Sequence, residues 1–185
     1  MIEFHQAAAA VYLAAGIGAL LGIVLPSARI ARGAVWGLAL GALLQGLCFA
    51  TLHRLNPAPS LTDLPVVLAL VVWMAVVCLL LFLWRMRVGS LVVVVGILAF
   101  LILFSVSIRP IDVAPPLVST AGAWPHAHVL LSAAGLALLS VAGLAGFFFL
   151  LEHRRLKAKR GLGHWLPLPS LEALDRINVV PLVVG

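Results

Sequence analysis

Five apolar stretches, at 7–25, 34–52, 65–84, 88–106 and 128–151, dominate this chain and leave it few ways to fold. Each has about the 20 residues that a membrane-crossing helix needs. The stretches lack the strict alternation of a barrel strand, so helices are the expected spanning form. The breaks between them are short and carry charges or prolines: Pro26 to Arg29, Arg54 to Pro57, Arg85 to Arg87, and Arg109 with Pro110. A further apolar segment begins near Ile177 and reaches Gly185 after too few residues to cross. The expectation is an all-α, polytopic transmembrane bundle, one domain over 1–185, with five full spans and the start of a sixth inside which the sequence stops.

Composition agrees. The chain is 64% hydrophobic and 10% charged, whereas soluble domains are nearer half apolar and a quarter charged. No internal repeat or low-complexity tract interrupts it. The first apolar run has no Lys or Arg before it, which argues against a cleaved signal peptide.

Lys and Arg alternate between loops. The first loop holds Arg29 and Arg32, the third Arg85 and Arg87, and the fifth Arg154, Arg155, Lys157, Lys159 and Arg160, with Arg176 at its far end. The second and fourth loops have only Arg54 and Arg109. Basic residues favour the cytoplasmic side, so the N-terminus is expected outside. The net charge of +6 then belongs to this asymmetry and to anionic lipid, not to nucleic acid.

On that topology His5, His53, His126 and His128 fall on the outer side, and His153 and His164 on the inner. An outer pair drawn from two helices is a candidate axial ligand set for haem iron. The plainer alternative is interfacial polar residues at helix ends. His126 and His128 point about 200° apart on a helix. The His128 side also carries Ser132, Gly135, Ala142, Gly143 and Gly146, small residues of the kind that line close helix contacts. His128 is therefore expected to face the bundle and His126 lipid or loop, with the helix dipole keeping His128 neutral. In the second span Gly33, Gly37, Gly41, Gln45, Gly46 and His53 suggest another packing face. Gln45 lies near mid-membrane, where polar groups usually face the interior. It has two readings, a contact to a haem propionate or a bond to a helix backbone.

Other chemistry is sparse. Cys48 and Cys78 are single thiols in separate spans, with no CxxC to signal a redox pair or zinc. The spans hold no Asp, Glu or Lys for ion coupling, and no nucleophile triad, phosphate loop or carboxylate pair is evident. An enzyme is not expected. Trp124 is placed as an interfacial anchor. The basic run from Glu152 to Arg160 reads as an electrostatic foot on anionic lipid, or as a dock for a cytoplasmic partner. Ser170 is placed to cap a following helix.

The order of three segments resembles the cytochrome c assembly family of integral membrane proteins, the CcsA/HemX-like group. These are WPHAHVLLS at 124–132 opening a span, LLEHRRLKAKR at 150–160 closing it, and LPSLEALDR at 168–176 leading onward. The likeness covers 64–185 and is sharp from Trp124 onward; the first two spans fit by hydropathy alone. It implies haem handling in c-type cytochrome biogenesis in a bacterial inner membrane, with haem b as cofactor, His128 as an iron ligand, and either His53, as a second iron ligand, or Gln45 as the second-helix contact. It also implies other cytochrome c assembly or respiratory membrane proteins as partners. The tryptophan-rich haem-presenting segment of the larger members does not occur in 1–185, which resembles the shorter HemX-like branch. The alternative is a non-catalytic membrane adaptor that regulates haem synthesis or supports assembly of another complex.

Overall fold

The computed structural model describes residues 2–52, 63–85, 89–108 and 123–157, together with Asp175 and Val179. These form five helices: α1 (Ile2–Val24), α2 (Ala28–Leu52), α3 (Leu64–Arg85), α4 (Gly89–Ile108) and α5 (Ala123–Lys157). All five are long and apolar enough to cross a membrane. The chain is an all-helical, multi-pass membrane protein. The sixth span lies outside the described residues apart from Asp175 and Val179, which are both helical and exposed.

Helices α1, α2, α3 and α5 start earlier than hydropathy suggests and α4 one residue later; at α2 a cap, not apolarity, sets the start. Helix α2 begins at Ala28 and takes in Arg29 and Arg32. Ser27 precedes it and its Oγ accepts the Ile30 N–H at 3.5 Å, satisfying a free donor of the first turn. The turn from α1 is tight: the Ser27 N–H donates to the Gly22 carbonyl at 3.1 Å. A Cβ on Gly22 would lie 2.9 Å from the Ala31 backbone nitrogen, so glycine is what lets the two helices meet there.

Helix α1 makes the most extensive helix contacts of the bundle. It packs along α2 on one side and α4 on the other, while α3 touches α2, α4 and α5. Ala8, Tyr12, Ala15 and Ala19 are buried on its inner side. Glycine permits the closest approaches. A Cβ on Gly96 of α4 would sit 2.9 Å from the Gly16 Cα, the Gly16 nitrogen and the Tyr12 carbonyl oxygen. A Cβ on Gly41 of α2 would meet the Tyr12 ring at 2.5 Å. In lipid there is little hydrophobic drive between helices, so close van der Waals fit and hydrogen bonds hold them.

The outward faces are covered with large apolar side chains such as Leu43, Leu81, Leu101, Leu131 and Leu139, all exposed. In water such a surface would associate; in a bilayer it is the solvated face. Helix α5 is the least buried of the five, and its main packing partner is α3. Its 35 residues span about 52 Å at 1.5 Å per residue. That exceeds the roughly 30 Å hydrocarbon core, so its basic end, with exposed Arg154 and Lys157, reaches beyond the lipid tails.

Candidate functional site

The polar interior centres on Gln45. Its side chain has no exposed surface, and both ends of its amide are bonded. Oε1 accepts the Tyr12 hydroxyl at 2.8 Å, and Nε2 donates to the Ala69 carbonyl at 2.8 Å. One residue of α2 thus ties α1 to α3. Burial of an amide without such partners would be costly, so the bonds explain why a polar residue is tolerated there. This is the backbone-bonding alternative, and it leaves Gln45 no open edge for a haem propionate.

The seam extends toward the end of the bundle where the chain begins. Trp73 of α3 donates its indole N–H to the Ala42 carbonyl of α2 at 2.8 Å. The Phe49 ring stands edge-on to Trp73 at a centroid distance of 5.9 Å, and His5 stands edge-on to Phe49 at 6.2 Å. His5 is half-buried, and its Nδ1 is buried with no hydrogen-bond partner among the described residues. Sequence reasoning placed His5 among the outer-side histidines but gave it no role. The available signal was the seven-residue interval from His5 to Tyr12, which puts both on one helix face.

His128 departs from expectation. It is exposed, and so are Ser132, Gly135 and Gly143 of its stripe. Nothing lies within 4 Å of a Cβ placed on Gly135 or Gly143. The buried side of α5 runs instead through Ala133, Ala137, Val141, Ala142, Ala145 and Phe148. The small-residue stripe was a mixed guide: its Ala142 is buried and Gly146 half-buried, while Ser132, Gly135 and Gly143 face outward and the helix packs chiefly through alanine at four-residue spacing. The helix also begins at Ala123, before His128. His128 thus lies past the first turn, where the dipole acts most strongly.

In α2 the packing face is confirmed for Gly37 and Gly41, which meet Ala15 and Tyr12 of α1. Gly46 meets Trp73 of α3, and Gly33 points into open space. His53 and the His126 side chain lie outside the described residues. Cys48 and Cys78 are free thiols. Among the described residues no group of three or more His, Cys, Asp or Glu is placed to hold a metal ion.

Comparison with family models, curated proteins and solved structures finds no match to this chain.

Proposed function

We propose that this chain is a haem-handling assembly factor of c-type cytochrome biogenesis that performs no bond chemistry itself. The observation that carries the reading is the residue order: histidine in the opening turns of α5, a basic run at its end, and LPSLEALDR beyond. The bundle limits how such a role would work. Gln45 is committed to Tyr12 and Ala69, so the fit for haem lies at the surface of α5, with the exposed imidazole of His128 as the protein's ligand. Haem there would supply an iron centre that imidazole coordinates; His53 remains the second candidate ligand. Protein partners of the cytochrome c assembly or respiratory class would meet this exposed edge.

The second reading is a non-catalytic membrane adaptor. It is favoured by a polar interior whose buried glutamine is bonded to protein at both its oxygen and its nitrogen. Visible absorption of the purified, haem-loaded protein separates the two. Haem handling predicts a Soret band that His128→Ala reduces several-fold at unchanged protein level. No Soret band after incubation with haem and removal of the excess supports the adaptor.

Orientation is part of the proposal: a bacterial inner membrane, with the N-terminus and His128 outside and Lys157 inside. The support is the Lys and Arg asymmetry between alternate loops. A cysteine placed at Val118 should react with an impermeant maleimide added from outside, and one at Ala158 should not. The reverse pattern would place every histidine on the opposite side.

A further inference from the structure

The outward face of α2 reads in order as charge, notch, indole and hydrocarbon. Arg29, Gly33, Trp36, Leu40, Leu43 and Leu47 follow one another at intervals of three or four residues, so they share one helix side. Arg32 flanks the top of this row. All of them are exposed, Trp36 at 76%. Gly33 has nothing within 4 Å of a Cβ position, which leaves a gap between the arginines and the indole. The Arg32 Nε–H donates to the Ala28 carbonyl at 3.3 Å, which holds that guanidinium beside the helix start.

We propose that this face binds an anionic phospholipid of the adjoining leaflet, with its phosphate on Arg29 and Arg32 and an acyl chain along Gly33, Trp36 and the leucines. Charge complementarity selects the headgroup, since guanidinium forks match phosphate oxygens. Distance fits as well. Trp36 lies about 10 Å below Arg29 along the axis, and Leu47 about 16 Å further. That is the depth sequence of headgroup, interfacial indole and acyl chain. A bilayer-facing helix side continuous with the arginines suits a lipid better than free phosphate, which would use the charges and leave the apolar row without a role. The site differs from the basic end of α5, whose exposed Arg154 and Lys157 extend past the span. It stands independently of the haem proposal.

The test uses the full chain in phosphatidylcholine nanodiscs containing a minor fraction of brominated phosphatidylglycerol or, separately, brominated phosphatidylcholine. Bromine quenches nearby indoles, and the Trp36 share is the difference between the wild-type chain and Trp36→Phe. Phosphatidylglycerol should be preferred at Trp36 about thirtyfold, given two arginines at roughly 1 kcal/mol each at an anionic surface. Arg29→Gln/Arg32→Gln should bring the ratio close to one, while Arg29→Lys/Arg32→Lys should retain part of it. If the double variant does not reconstitute, each single Gln variant should lower the ratio several-fold. Equal quenching by the two lipids in the wild-type chain overturns the proposal. So does an unchanged ratio in the Gln variants at normal helix content, because the preference would then come from the net charge of the whole bundle.

Discussion

Gly96→Val should separate α1 from α4 and lower the stability of the bundle by about 3 kcal/mol, at the upper end of ordinary overpacking costs. The atoms that a Cβ would meet are backbone, the Gly16 Cα and nitrogen and the Tyr12 carbonyl oxygen, all at 2.9 Å. No rotamer change relieves such a contact; one helix must move. Gly96→Ala should already be destabilising for the same reason. The control is on α5, where Gly135→Ala and Gly143→Ala add a methyl group to open space. Those changes should be neutral or slightly stabilising, because alanine is the better helix former. Thermal denaturation in a fixed detergent, followed by tryptophan fluorescence, measures all four. A Gly96→Val midpoint equal to that of Gly143→Ala would refute the crossing described here.

Gln45→Leu should cost about 2 kcal/mol, near the upper range for a hydrogen-bonded side chain between membrane helices. The change keeps approximate volume but removes the acceptor of the Tyr12 hydroxyl and the donor to the Ala69 carbonyl. Tyr12→Phe alone should cost less, since the Gln45 bond to Ala69 survives. In a Gln45→Leu background Tyr12→Phe should cost almost nothing further, or become favourable by removing an unpaired buried hydroxyl. The double-mutant cycle measures that coupling. If the haem reading holds, the absorbance per folded molecule should stay unchanged in Gln45→Leu, because the residue ties helices together and does not face a ligand. A variant of normal stability with lost haem absorbance would return Gln45 to the ligand set and contradict the network.

The two predictions mark how far sequence patterns reach in a membrane bundle. A glycine row in α2 announced a packing face, and Gly37 and Gly41 do lie against α1. The same inference failed on α5, where Gly135 and Gly143 face open space. In water, polarity marks the outer side of a helix. In lipid both sides are apolar, so small size is the main remaining signal of a contact, and alanine carries it as well as glycine does. His128 was assigned to the wrong side for that reason. Gln45 was legible as an interior residue from its depth alone, but its partners were not, because Tyr12 and Ala69 lie on two other helices.

The sequence by itself determined the solvent, the helical class and the five spans. Those follow from the length of each apolar run and from the need of every backbone polar group for a partner in hydrocarbon. It also placed the breaks, because charged residues and prolines are costly inside a span. The tertiary structure decided which helices pack together, where backbones touch, and which side of α5 meets α3. Those depend on contacts of a few ångströms between segments far apart in the chain, such as Gly16 with Gly96 and Tyr12 with Gln45, and no local pattern encodes that pairing.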